Sequence, residues 1–234
     1  YGVVEEYLYT ISGLLVAGSL TDPEAQRLLR VPLDIPVALA LVQQLVAALT
    51  ETHRAGVAHG NLKPSNIFLA EEHTTEQIRL QIGDFLPITT SLPAIASVIG
   101  QQRVWRFLAP EALDVGPTAL GDQFALAALA YEWLTGYPAF DEVPLRRRKA
   151  AAPVTSLVPR FATVPDVDTV FARAFSAEPT KRFPTIAAFA EALGTALTPG
   201  GVTPRPANPL KDDRPSREMP IIPPTVPAPP PLPD

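Results

Sequence analysis

The chain has 234 residues, 47% of them hydrophobic, and a formal net charge of −5. This length suits one domain, or one domain with a tail, and the apolar content is enough for a sizeable buried core. The charge gives no reason to expect nucleic acid as a partner, and the absence of cysteine excludes disulfides, a thiolate zinc site and a cysteine nucleophile. No apolar run approaches the roughly 18 residues that span a bilayer and no signal peptide is visible, so we expect no membrane segment in this chain. We expect a cytoplasmic location, and the sequence leaves membrane tethering of the full-length protein open. Because the chain begins at Tyr1 and not at a methionine, we also expect a fragment of a longer protein.

The first predicted elements are one short strand and two helices. Residues 1–7 have the β-branched and aromatic content of a strand. Asp22 and Pro23, followed by an acidic residue, are typical of a helix start. Residues 36–55 repeat apolar side chains with the period of a helix, which Gly56 is expected to end.

The middle of the chain is predicted to contain a strand, a long loop and three more helices. The strand covers residues 79–82, and residues 86–104 have no clear period, as is usual for functional or disordered loops. Each of the three helices begins with a polar capping residue. They span about residues 122–135, 166–176 and 185–197, and their caps are Asp122, Asp166 and Thr185.

Residues 199–234 form a separate proline-rich segment with 13 of the 28 prolines of the chain. Proline cannot sustain helices or sheet ladders, so this segment is expected to be disordered and to populate polyproline II. It is either a semi-rigid linker or a ligand for a partner domain that binds proline-rich peptides. The sequence therefore predicts a folded domain over residues 1–198 and a tail over residues 199–234.

Five motifs occur in a fixed order within the predicted domain. The first is His59-Gly-Asn-Leu-Lys-Pro-Ser-Asn66, and the second is Asp84-Phe-Leu86. The third is Ala109-Pro-Glu111. The fourth is the apolar helix over residues 122–136, and the fifth is Pro179-Thr-Lys-Arg-Phe183. The chain resembles the protein kinase superfamily in these motifs, and the sequence around Lys63 is similar to that of bacterial-type serine/threonine kinases.

This resemblance implies an α+β fold: the mainly helical C-terminal lobe of a protein kinase, with small hairpins around the catalytic loop and a truncated N-terminal lobe. It implies metal binding by Asn66 and Asp84 and neutralisation of the transferred phosphoryl group by Lys63. Phe68 would form the apolar floor beneath adenine, and the backbone from Glu5 to Tyr7 would be the hinge that bonds the adenine edge. The implied cofactors are ATP and Mg²⁺, provided that a small lobe is present upstream.

For several of these residues, a structural role is the alternative to a role in binding or catalysis. Asp84 could cap its own turn, and Asp122 could cap its helix or, as the family pattern implies, hold the catalytic-loop backbone. His59 is expected to be a core residue beneath Phe85. The family pattern also implies a buried ion pair between Glu111 and Arg182, and the basic run at residues 146–149 is expected to be a solvated face or a docking site.

The departures from the family pattern concern proton transfer and switching. Asn61 stands where the family has its catalytic aspartate, and an amide cannot accept the proton of a substrate hydroxyl. Gly60 replaces the arginine that usually receives a phosphorylated activation loop, and Leu86 replaces a glycine. Val104 stands where serine/threonine kinases usually have a threonine bonded to the catalytic aspartate. No glycine-rich phosphate loop or phosphate-anchoring lysine can be assigned.

Three functions remain open from the sequence. The first is a catalytically impaired kinase-like domain, or pseudokinase, that acts in signalling by binding a protein partner. The second is an active serine/threonine protein kinase that transfers the ATP γ-phosphate to protein hydroxyls. The third is a scaffold fragment with no nucleotide role.

Overall fold

The structure is a computed structural model that describes residues 2–4, 7–9, 18–70, 78–86, 106–140 and 165–198. The described part contains four short strands: β1 (Gly2–Val4), β2 (Tyr7–Tyr9), β3 (Ile67–Leu69) and β4 (Leu80–Ile82). It also contains six α-helices: α1 (Pro23–Leu28), α2 (Ile35–Arg54), α3 (Ala112–Val115), α4 (Ala119–Thr135), α5 (Pro165–Ala174) and α6 (Ile186–Leu197). Among the sequence predictions, the basic run 146–149, most of the loop 86–104 and the tail 199–234 lie outside the described residues.

The N-terminal prediction of a single strand is wrong. Residues 2–4 and 7–9 are two strands that pair antiparallel, with Gly2 opposite Tyr9 and Val4 opposite Tyr7. Only two residues separate the strands, as is common in hairpins.

Helix α2 is the central support of the described fold. Leu41, Leu45 and Leu49 recur four residues apart and are almost fully buried, so they form one apolar stripe. The helix packs against α4, α6 and β4, and it ends before Gly56, whose φ is +75°. Among the described helices, α2 alone is long and apolar enough to cross a membrane, which is weak evidence because a core helix passes the same test.

Helix α4 is buried nearly all round, as expected for a helix without a polar face. It begins one turn earlier than predicted, because the Thr118 hydroxyl accepts a hydrogen bond from the Gly121 N–H at 2.9 Å. The prediction that Asp122 caps this helix is therefore wrong. Asp166 likewise lies inside α5, which begins at Pro165. Thr185 does cap α6, because its hydroxyl accepts from the Ala188 N–H at 3.1 Å.

Aromatic side chains fill the space where α4, α5 and α6 meet. Phe124 of α4 stacks on Phe140 with ring centroids 5.3 Å apart and meets Phe175 edge-on. Tyr131 meets Phe171 of α5 edge-on at 5.5 Å. Such pairs contribute about 0.5–1.5 kcal/mol each beyond their buried area, so this cluster stabilises the packing of the three helices.

A buried ion pair joins the residue before α3 to the segment before α6. The Arg182 guanidinium donates to both carboxylate oxygens of Glu111, at 2.7 and 2.8 Å. It also donates to the carbonyls of Ser176 and Leu120, at 2.8 and 2.9 Å. The side chain of Arg182 has no exposed surface, so its charge depends on these partners. The predicted pairing of Glu111 with Arg182 is present.

Candidate functional site

The segment 59–66 lies between α2 and β3, and the carboxylate of Asp122 holds its first residues. Asp122 is 1% exposed in α4. Its Oδ2 accepts the His59 backbone N–H at 2.7 Å and its Oδ1 accepts that of Gly60 at 2.8 Å. Charged acceptors make strong hydrogen bonds with buried N–H groups. Asp122 therefore fixes the start of this loop. This is the second of the two roles considered for Asp122 above, and it replaces the predicted role as a helix cap.

His53 is a further partner of Asp122 that the sequence reasoning missed. Its Nε2 lies 2.8 Å from Asp122 Oδ2, and its side chain is 13% exposed. The carboxylate therefore connects the last turn of α2, the loop and α4. Only a spatial contact reveals this role, because the two residues are 69 positions apart.

His59 is a core residue that links the loop to the segment 84–86. It has no exposed surface, its ring centroid lies 4.3 Å from that of Phe85, and its carbonyl accepts the Leu86 N–H at 2.9 Å. Its Nδ1 accepts the Asn61 N–H at 3.2 Å, which requires that nitrogen to be unprotonated. Burial lowers the pKa of His59 from its usual 6.5, against smaller opposing effects that include the carboxylates of Asp122 and Asp84.

Asn61 and Asn66 lie together at the centre of the loop. Both are buried, at 8% and 3% exposure. The Asn66 Nδ2 donates to the Asn61 carbonyl at 2.8 Å, and the Ser65 hydroxyl donates to Asn66 Oδ1 at 3.2 Å. The Asn66 carbonyl accepts the Gly83 N–H at 3.0 Å. The structure thus brings Asn66 next to the segment that carries Asp84.

Lys63 and Asp84 interact electrostatically across these two segments. Burial lowers the pKa of Lys63 from its usual value, while the negative charge of Asp84 opposes this effect. Asp84 itself is exposed and has a φ of +58°. A left-handed backbone is uncommon for residues other than glycine, and aspartate is among those that tolerate it.

Of the three predicted nucleotide-binding residues, the structure describes Phe68 and the strand that contains Tyr7. Phe68 is half-buried in β3, opposite Gln81 of β4 and in a bridge with Ser19. Tyr7 lies in β2, and Glu5 lies outside the described residues. The assignment of Glu5 and Tyr7 to the hinge stays a prediction.

Gly60 is covered by Pro117, the residue before the cap of α4. The φ of Gly60 is +73°, and a β-carbon there would lie 2.6 Å from Pro117 Cβ and 2.7 Å from Pro117 Cγ. A small, partly open pocket lies beside this contact. It is lined by Asn61, Leu62, Phe107 and Ala109, among other residues of the loop and of the segment 107–125. The segment before α4 therefore lies directly on the loop.

The side chains present fit a shared magnesium–phosphate site better than a protein-only metal site. The described residues contain no group of three or more His, Cys, Asp or Glu side chains that could hold a metal ion. Mg²⁺ is usually held by one or two carboxylates together with substrate phosphates. The exposed carboxylate of Asp84 and the amide oxygen of Asn66 are oxygen ligands of this kind.

The chain belongs to the protein kinase domain family, whose model matches residues 5–183. This agrees with the helical lobe and the small hairpins of the structure. The assignment of the chain to a bacterial-type serine/threonine kinase-like domain with an α+β fold is confirmed.

Curated relatives and solved structures give the same family. The chain is 28% identical over 79% of its length to the serine/threonine-protein kinase Pkn1 of Myxococcus xanthus, and 29% identical over 71% to PknF of Mycobacterium tuberculosis. It spans only 29% and 36% of the lengths of these relatives. It is also similar to a crystal structure of the M. tuberculosis PknI kinase domain, with 26% identity, a TM-score of 0.53, and coverage of 73% of this chain and 60% of that one.

The lowered pKa of His59 predicts a loss of stability in mild acid. The unfolded chain takes up a proton as the pH falls below 6.5, whereas in the folded chain burial of His59 disfavours the charged imidazolium and lowers its pKa. Stability from His59 is therefore complete above its unfolded pKa and decreases as the pH falls toward its folded pKa. We expect the difference in urea midpoint between wild type and His59→Gln to narrow between about pH 7.5 and pH 5.5. A constant difference across this range would contradict the prediction.

Proposed function

We propose that this chain is a catalytically impaired serine/threonine kinase-like domain that acts in signalling by binding a protein partner. The observation that supports this most directly is Asn61. It occupies the position of the catalytic aspartate in a loop whose other contacts are intact, from Asp122 at one end to Asn66 at the other. The carboxamide of Asn61 can orient a substrate hydroxyl but cannot accept its proton.

The loop geometry explains how the fold is kept while this chemistry is lost. The bonds that position Asn61 use its backbone N–H and carbonyl, which meet His59 Nδ1 and Asn66 Nδ2. An aspartate and an asparagine offer the same backbone groups and nearly the same volume. The substitution therefore removes a base without disturbing the loop around it.

The second candidate is an active kinase, and Lys63 with Asp84 favours it. Phosphoryl transfer depends mainly on positioning and on charge stabilisation, and these two residues retain the charges for that role. When bound, ATP would supply the transferred phosphoryl group and Mg²⁺ would neutralise its charge, with Asn66 and Asp84 as ligands. This requires a small lobe in the whole protein. We also propose that the protein is cytoplasmic and that its substrates or partners are proteins. One such partner would bind the proline-rich tail.

The test is phosphate transfer by Asn61→Asp beside wild type, in the longest natural form of the protein, with Mg²⁺ and labelled ATP. Restoring a general base is worth about 100- to 10,000-fold. We expect about 100-fold, because Val104 still takes the place of the partner hydroxyl. Asp84→Ala added to Asn61→Asp should remove the restored transfer. Measurable transfer at the same rate by wild type and Asn61→Asp would contradict the proposed impairment and favour the active kinase.

A further inference from the structure

Pro117 lies so close to Gly60 that a residue with a β-carbon does not fit at position 60 unless something moves. Real β-carbons essentially never approach other heavy atoms within 3.0 Å, and a β-carbon on Gly60 would lie 2.6 and 2.7 Å from two atoms of the Pro117 ring. Its left-handed backbone, with a φ of +73°, also disfavours most residues that carry a β-carbon. Position 60 therefore lacks the family arginine, and the Pro117 ring also occupies the space that the β-carbon of such a side chain would need.

Gly60 is held on two sides by the start of α4. Its N–H donates to Asp122 Oδ1 at 2.8 Å, and the Pro117 ring covers its α-carbon. Thr118, which follows Pro117, caps the helix through the Gly121 N–H. The proline ring fixes its own φ and has few ways to move aside. The helix start and the loop are therefore joined by a rigid steric contact as well as by a hydrogen bond.

We propose that Gly60 and Pro117 form a proline clamp, whose packing holds the catalytic loop against the start of α4 together with the hydrogen bond from the Gly60 N–H to Asp122. The clamp adds an uncharged packing contact to the hydrogen bond that Asp122 accepts from the loop. It deepens the description of this site but does not rest on the proposed function, because a clamp would act equally in an active and in an impaired domain.

Hydrogen exchange of the loop amides tests the clamp. Pro117→Gly removes the ring, and we expect exchange over residues 59–61 to rise by about tenfold while the centre of α2 is unchanged. Pro184→Gly is the matched control, because Pro184 is exposed and also precedes the capping threonine of a helix. It should leave the loop amides unchanged. The proposal is overturned if both variants affect the loop alike, or if Pro117→Gly raises exchange equally in the loop and in α2.

A double-mutant cycle on thermal unfolding tests the steric contact itself. Gly60→Ala places a β-carbon against Pro117 and also strains the backbone, whereas in the Pro117→Gly background only the backbone strain remains. We expect Gly60→Ala to lower the Tm roughly twice as much in wild type as in the Pro117→Gly background. The cycle cancels the added freedom of glycine in the unfolded chain. Equal shifts in the two backgrounds would show that the residues are not coupled and would overturn the clamp.

Discussion

Replacing Arg182 by methionine is expected to destabilise the domain by about 3–5 kcal/mol. Methionine keeps most of the apolar volume of the side chain but removes the donors that reach Glu111 and two backbone carbonyls. The Glu111 carboxylate, whose side chain is 14% exposed, would lose its bidentate partner. The guanidinium also lies over the Phe124 ring, 5.1 Å from its centroid, so a cation–π contact is lost as well. Urea unfolding followed by circular dichroism measures the change.

The neighbouring residue supplies the control for this prediction. Lys181 pairs with Glu178 at 2.7 Å, but their side chains are 66% and 64% exposed. Exposed pairs are worth about 0–1 kcal/mol, because water screens both charges before and after folding. Lys181→Met should therefore change the unfolding free energy by less than about 1 kcal/mol. A loss below about 1 kcal/mol for Arg182→Met would show that the buried pair is not a main support of the lobe.

Removing the carboxylate of Asp122 has the second large expected effect. Asp122→Ala leaves the N–H groups of His59 and Gly60 without an acceptor, and each buried unsatisfied group costs about 1–3 kcal/mol. His53 also loses its partner. We expect a total loss of about 3–5 kcal/mol in thermal or urea unfolding.

Asp34 is the matched control for Asp122. Both residues are acidic and lie at the start of a long helix, but Asp34 is exposed and makes no side-chain capping bond. Asp34→Ala should change stability by less than about 1 kcal/mol, because only a weak interaction with the helix dipole is lost. If Asp122→Ala destabilised the domain no more than Asp34→Ala, the Asp122 carboxylate would not be the anchor of the loop.

Features with a local signal could be predicted from the sequence. Helix α2 runs from Ile35 to Arg54, within one residue of the predicted bounds, because its apolar period continues for five turns. The cap at Thr185 was predicted from a polar residue directly before an apolar run. The packing of His59 beneath Phe85 and the pairing of Glu111 with Arg182 followed from the family resemblance and not from any local pattern.

Features that depend on distant contacts could not be predicted in this way. The residue pattern predicts a cap at Asp122, because an acidic residue near a helix start has the same local signal whether it faces solvent or a buried N–H. Its bonds to the loop followed only from the family resemblance. The real cap, Thr118, lies one turn earlier. The contacts of His53 and Pro117 have no sequence signal, because each joins segments about 60 or more residues apart. Residues 1–7 predict one continuous strand, because no glycine, proline or asparagine marks the turn between β1 and β2.

The three partners of Asp122 also bear on the order in which the chain folds. They lie 62, 63 and 69 residues before it in sequence, so closing these contacts brings together segments that local folding leaves apart. Contacts over such separations form slowly, since the entropy of the intervening chain must be lost first. Helix α2 can form early from its own period, whereas the loop after it gains its acceptors only when α4 docks. A nascent chain that ended before residue 122 would therefore contain the whole loop sequence but none of the carboxylate contacts that give the loop its shape.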